Sequence, residues 1–288
     1  MAYSVHTAFD EFFNAINLPG DHRTIANTRR EWVVRRLHPK FTILDSFATG
    51  SIPRFTAVAG HADVDVFVVL HYGKHVKGRR PSNVLRAVRE ALGSTAASVR
   101  RNGQAITLRF QSWPNVDVVP AVACRADKSA KKLSYYEIPD MHSESWIRTR
   151  PHLHSRDVHD AVISAGPGFR RVVKIVKWWN HPHGAPMQSF HIEVIALKAV
   201  TDAADITWAL FRWFKVARDT IGARLRHGDA YVDDYLSTSA RSKLSTLLTT
   251  TASQARSAWH ATYDGNTRHA EAIRMWGQIF GAKFPRHG

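Results

Sequence analysis

The sequence predicts an α+β protein in which a mixed α/β lobe is followed by a helical lobe. Two observations carry this. Between about residues 41 and 122, short apolar runs such as "VDVFVVL" and "NVDVVPAV" alternate with turn-forming stretches. From about residue 157 onward, apolar residues recur at three- and four-residue spacing almost without interruption. A turn-rich connection over about 125–157 separates the two patterns, so the expected domains are 1–156, a core with an N-terminal helix, and 157–288, a helical domain. No internal repeat or low-complexity tract disturbs this division.

The first expected element is a helix over 22–37, where Ile25, Thr28, Trp32 and Val33 fall at helical spacing behind Asp21 as N-cap. A strand follows in "VDVFVVL". The stretch "PSNVLRAVREALG" reads as a helix, with Pro81 at the start, where its missing N–H is harmless, and Gly93 past the end. "QAITLRFQSWPNVDVVPA" reads as a hairpin turning at Ser112 to Asn115. Helical patterns then fill 159–180, 189–203, 207–225, 240–262 and 267–281.

A content of 44% hydrophobic and 22% charged residues is ordinary for a globular chain and argues against disorder. Forty Lys and Arg against 24 Asp and Glu leave a formal charge of +16, which attracts polyanions such as nucleotides, nucleic acid or anionic lipid surfaces. Cys124 is the only cysteine, so no intrachain disulfide can form, and a reducing compartment is expected. "MAYSVHTAFDEFF" lacks a basic segment followed by an apolar core, and no apolar run approaches the roughly 18 residues that span a bilayer. The expected location is the cytoplasm, with no membrane partner.

In "HADVDVFVVL", period-two geometry places Asp63 and Asp65 on one face of a strand while Val64 and Val66 point into the core. Taken alone, such a pair reads as a solvated strand edge. Two neighbouring carboxylates repel each other unless a cation lies between them, and magnesium favours such hard oxygen ligands. Asp117, set between valines on the expected hairpin, is costly to bury unless paired or metal-bound, and it suits the same site. Upstream, Gly50 and Ser51 precede Asp63 with an eleven-residue gap. Glycine permits close backbone approach, so a Gly-Ser turn can present N–H groups and a hydroxyl to phosphate oxygens.

Gly50-Ser51, the gap, the Asp-x-Asp pair and the hairpin aspartate before "VVPA" together resemble the nucleotidyltransferase superfamily of DNA polymerase beta. Further along, "KIVKWWNHPHGAPMQSFHIEVIALKAV" resembles the cGAS/DncV-like nucleotidyltransferases, the bacterial CD-NTases included, in which a basic helix and a Ser-aromatic-His-x-Glu helix close over the donor nucleotide. "YVDDYLSTSARSKL" and "AEAIRMWGQIFGAKFP" resemble the C-terminal helices of the bacterial members. The likeness spans about residues 40–286. It departs from the pattern at Phe55, where many members carry glycine between the equivalents of Arg54 and Thr56, and at Lys174, where arginine is common and would add a bidentate fork.

The resemblance implies a polymerase-beta-like lobe and a helical lobe with the active site in the cleft between them. It implies catalytic and metal-binding roles for Asp63, Asp65 and Asp117, with two Mg²⁺ ions for which Mn²⁺ can substitute. Gly50, Ser51, Lys174, Lys177 and Ser189 would hold the nucleoside triphosphate, and Phe190 would stack on its base. From the residues alone, Phe190 also fits core packing and Lys177 a solvated charge. His191 and Glu193 read as structural, the Trp178-Trp179 pair and Cys124 as core, and His181 and His183 as loop residues without cysteine partners for zinc. The implied activity joins NTPs into a cyclic di- or trinucleotide with release of pyrophosphate. The implied role is anti-phage defence, acting through an effector that the product activates. Two rivals use the same residues: an RNA-tailing or CCA-adding transferase, and a catalytically silent nucleic-acid sensor. The clusters Lys74, Lys77, Arg79 and Arg80; Arg100 and Arg101; and Lys128, Lys131 and Lys132 exceed what one triphosphate needs; they read either as a plain solvated basic surface or as a site for a regulatory RNA or DNA.

Overall fold

The computed structural model describes residues 3–93, 98–124, 135–141, 143–228, 230–263 and 269–286. In chain order the first elements are α1 (Val5–Ile16), α2 (Arg23–Leu37), β1 (Ile43–Thr49), β2 (Val64–Leu70), α3 (Tyr72–His75) and α4 (Pro81–Leu92). They are followed by β3 (Ser98–Asn102), β4 (Ala105–Arg109), β5 (Val116–Cys124), β6 (Tyr135–Asp140) and β7 (Ser145–Thr149). Helices α5 (Pro151–Ala165), α6 (Gly168–Asn180), α7 (Ser189–Ala199) and α8 (Ile206–Ile221) come next. A small hairpin, β8 (Arg226–His227) and β9 (Ala230–Tyr231), precedes α9 (Thr238–Tyr263) and α10 (His269–Phe280).

Two units divide the chain. The sheet unit holds Gly20–Phe55 and Gly60–Ser155; the helical unit holds the residues up to Pro19, Thr56–Ala59 and those from Arg156 on.

In the sheet unit the strands run in the order β1-β2-β5-β4-β3, with β6 paired to β5 and β7 to β6. Strands β2 and β5 are parallel and the other pairs antiparallel. A parallel pair needs a crossover, which here consists of everything from α3 to β4. Alternation in β2 sends Phe67 and Val69 to one side, where they meet Val119, Ala121, Tyr136 and Ile138. Asp65 and Asp117 lie two residues before Phe67 and Val119, so they continue that face at the starts of their strands. Val64, Val66 and Val68 are buried on the other side. Helices α2 and α4 pack against the sheet; α4 does so through Val84, Leu85, Val88, Ala91 and Leu92, spaced as an apolar stripe.

Two local expectations change. The N-cap of α2 is His22, not Asp21; the Asp21 carboxylate accepts the Arg23 N–H at 2.9 Å and pairs with that guanidinium. The stretch expected to be a turn-rich connection contains β6, β7 and the start of α5. Tyr136 and Ile138 alternate into the sheet core there, and β6 pairs with the C-terminal end of β5, Val122–Cys124, beyond the stretch that β2 and β4 cover. Residues 125–134, with Lys128, Lys131 and Lys132, lie outside the described residues.

The helical unit contains α1, which the sequence reading grouped with the mixed lobe. Val5, Ala8, Phe9, Phe12 and Ile16 form one fully buried stripe, and Phe9 and Phe12 make ring contacts with Phe280 and Phe284. Burial of such side chains, at about 1.5–3 kcal/mol each, fixes α1 in this unit. Trp179 and Trp213 lie in the same core, whereas Trp178 is partly buried beneath the Lys283 ammonium. No helix among the described residues is long and apolar enough to cross a membrane.

Candidate active site

In the sheet unit the three aspartates come from two neighbouring strands. Asp65 on β2 stands directly beside Asp117 on β5, and Thr49 on β1 is its partner on the other side. Asp63 is exposed just ahead of β2. Thr107 on β4, opposite Asp117 in the register, donates its hydroxyl to Asp117 Oδ1. Burial raises the Asp117 pKa above the ordinary carboxylate value; the Thr107 bond opposes the shift and the charge of Asp63 adds to it. The carboxylates do not close into a cluster with one oxygen of each within 4.8 Å of the others. Like charges in a half-buried place keep apart.

Gly50 ties the turn to these strands. Its φ is +84°, and a Cβ placed there would lie 1.8 Å from Asp65 Oδ2, so only glycine lets the chain pass this carboxylate. From Ser51 to Phe55 the chain forms successive turns, closed by a bond from Phe55 N–H to the Ile52 carbonyl. Phe55 itself has φ +58°, the left-handed region that costs an L-residue about 1–2 kcal/mol. The family resemblance leads to an expectation of glycine at this position, and the backbone here has the positive φ that glycine adopts freely.

The donor set fits a hard divalent cation. Asp63, Asp65 and Asp117 offer hard carboxylate oxygens at the starts of two neighbouring strands, and burial and the charge of Asp63 disfavour the ionised form of Asp117, a cost that a cation would reverse.

In the helical unit Ser189 is exposed at the first turn of α7, where N–H groups lack intrahelical partners and favour anions. The preceding Gln188 N–H is held at 3.0 Å by the Tyr235 hydroxyl, which also meets His191 Nδ1 at 2.9 Å. Burial pulls His191 down to about 4 and pushes Tyr235 up to about 12, so both are neutral at pH 7. Phe190 is partly buried against the core and meets the His227 ring edge-on at 5.8 Å.

Both lysines of α6 are buried, Lys174 at 6% exposure and Lys177 at 4%. Lys177 is therefore not a solvated charge. Its ammonium reaches Glu193 Oε1 at 2.7 Å, Thr56 Oγ1 at 3.2 Å and the Thr56 carbonyl at 3.3 Å. Lys174 donates to Asn17 Oδ1, and burial, with the charges of Lys177 and Arg170, lowers it to about 8. Sequence reasoning did not find Thr107 and Tyr235, since a lone Thr or Tyr has no signature until its partner is known. Cys124, expected to be buried, is half-buried, and its thiol is pushed up to about 11.

Residues 3–161 match the model of the Second Messenger Oligonucleotide or Dinucleotide Synthetase domain. The chain belongs to that family. Over its full length, and over 99% of the relative, this synthetase-family chain is 22% identical to a probable cyclic nucleotide synthase of Bacillus cereus (strain VD146). A cyclic AMP-AMP-AMP synthase of Acinetobacter sp. (strain ATCC 27244 / 9458) is 25% identical over 90% of this chain and 78% of its own. The solved structure of Escherichia coli MS115-1 CdnC with ATP superimposes with a TM-score of 0.75 at 19% identity, over 97% of this chain and 98% of that one. The resemblance to cGAS/DncV-like nucleotidyltransferases and the α+β fold expected from it both hold.

Proposed function

We propose that this synthetase is a metal-dependent nucleotidyltransferase that joins NTPs into a cyclic di- or trinucleotide and releases pyrophosphate. The observation that carries the reading is the pairing of Asp65 with Asp117 on adjacent strands, with Asp63 one step ahead and Gly50 packed against Asp65.

Asp63 and Asp65 would hold one Mg²⁺ and, with Asp117, a second; such ions neutralise the triphosphate and lower the pKa of an acceptor hydroxyl. The chain's own work is orientation. The Gly50–Ser51 turn offers backbone N–H groups and a hydroxyl to phosphate oxygens, and Thr107 holds Asp117 in one rotamer. Ser189, at the start of α7, adds a hydroxyl and helix-terminal amides, while Phe190 supplies a base-stacking face. Lys174 places positive charge on α6, whereas the charge of Lys177 is balanced by Glu193. The acceptor hydroxyl attacks the α-phosphorus in line, pyrophosphate leaves, and a repeat of the reaction closes the ring. The likeness to a cyclic AMP-AMP-AMP synthase supports a cyclic product. A role in anti-phage defence, with the product activating an effector, is inferred from family resemblance.

The test is incubation of purified protein with four labelled NTPs and Mg²⁺, followed by phosphatase. Small phosphatase-resistant products are expected, and Asp65→Asn should abolish them. Extension of added RNA would establish the tailing activity in their place, and no turnover would leave a binding protein.

A further inference from the structure

Between Ser51 and Asp63 the chain leaves the sheet unit, contributes Thr56–Ala59 to the helical unit and returns at Gly60. These four residues are strongly held. Thr56 is fully buried, and its hydroxyl donates to Glu193 Oε1 at 2.6 Å while accepting from the Lys177 ammonium. Val58 is buried and bridges to Asn17, and the Ala59 N–H bonds the Ile16 carbonyl at 2.9 Å. Glu193 has no exposed surface, and its partners are 16 and 137 residues away in sequence. A buried carboxylate is tolerated only when paired and hydrogen-bonded, so Glu193, Lys177 and Thr56 form one unit in which each satisfies the others. Phe55, immediately before Thr56, is in the left-handed region. A bulky residue stays there only where its surroundings over-determine the backbone.

We propose that Glu193 and Thr56 are positioning residues for nucleotidyl transfer: with Lys177 they lock the middle of the connector that links the Gly50–Ser51 turn to Asp63. This rests on the reading of Asp63, Asp65 and Asp117 as the transfer site. A connector held at its centre has less freedom at both ends, and misplacement of reacting groups by about 1 Å can cost about 100-fold in rate. The lock acts on geometry and not on substrate affinity, so its signature is in kcat.

The test measures pyrophosphate release by the full chain with Mg²⁺ and the four NTPs, together with thermal melting. Thr56→Val, which keeps shape and removes the hydroxyl, should lower kcat about tenfold, with KM within about threefold and melting well above the assay temperature. Thr56→Ser, which restores the hydroxyl, should return kcat to within about twofold of the unaltered chain. Glu193→Gln should lower kcat at least as far as Thr56→Val if it folds; should it not fold, the Thr56 pair decides alone. Unaltered kcat in Thr56→Val, a Thr56→Ser variant as slow as Thr56→Val, or a loss that only tracks the unfolded fraction would overturn the inference while leaving the transfer site standing. No pyrophosphate from the unaltered chain would overturn the functional reading, and this inference with it.

Discussion

A Cβ on Gly50 would sit 1.8 Å from the Asp65 carboxylate oxygen, so the Gly-Ser turn and the Asp-x-Asp strand are one packed object and not two adjacent motifs. The positive φ of Gly50 adds a second reason for glycine there. Gly50→Ala should therefore combine backbone strain with displacement of Asp65. The expected outcome is a stability loss of about 1–3 kcal/mol and a turnover loss of at least about 100-fold. Denaturant unfolding and pyrophosphate release measure the two; an active, stable Gly50→Ala chain would contradict the packing.

Asp117 gives a pH signature. Its pKa is raised in the folded state, so the contribution of its ionisation to stability is most favourable below the unfolded value of 3.8 and is lost as pH rises through the folded value. Asp117→Asn removes that loss. In chelator, the melting temperature of Asp117→Asn relative to the unaltered chain should increase from about pH 4 to pH 7, while turnover falls to background. Added Mg²⁺ should narrow the stability difference by favouring the unaltered chain. A difference that stays constant with pH would remove the case for a disfavoured charge at this position.

His191 behaves in the opposite sense. Burial lowers it to about 4, so folding holds it neutral, and the stability it contributes is present above about 6.5 and lost as pH falls toward 4. His191→Asn should flatten the acid limb of the melting profile over that range. An unchanged acid limb would assign the acid sensitivity to other groups.

Phe55 allows a comparison that isolates backbone strain. Phe55→Gly and Phe55→Ala both delete the ring and its contact with the Arg23 guanidinium, at 5.2 Å. Only glycine adopts φ +58° freely. Phe55→Gly should thus be more stable than Phe55→Ala by about 1 kcal/mol, the reverse of their order in a helix. Paired denaturant melts read the difference directly.

Lys77, Arg79 and Arg80 are exposed in the segment after α3. If they bind a regulatory nucleic acid, duplex RNA should bind the protein at about 50 mM salt and release steeply by about 200 mM. Charge reversal of all three to Glu should abolish that binding and any stimulation while sparing basal synthesis. Failure of RNA to bind the unaltered protein at low salt would make this charge only a solvated surface.

The sequence by itself determined the elements and the chemistry on offer. The helix of α4 between Pro81 and Gly93, the strand after Asp63, the hairpin that carries Asp117 and the helical second half all follow from periodicity and turn residues, which act over a few positions. The spacing of Gly50, Ser51, Asp63, Asp65 and Asp117 was legible for the same reason. The tertiary structure decided what those residues meet. Parallel pairing set Asp65 beside Asp117, and the β4 register chose Thr107 as the partner of Asp117. The buried stripe of α1 is written locally, but its companions Phe280 and Phe284 lie at the far end of the chain. The sequence reading set Lys177 against the triphosphate, with a solvated helix charge as the alternative. Lys177 became a buried ion pair only because folding brought Thr56, 121 residues earlier, and Glu193 to the same place. Local pattern fixes backbone conformation, whereas the partner of a buried charge is selected by desolvation across the whole chain, which no short window of sequence contains.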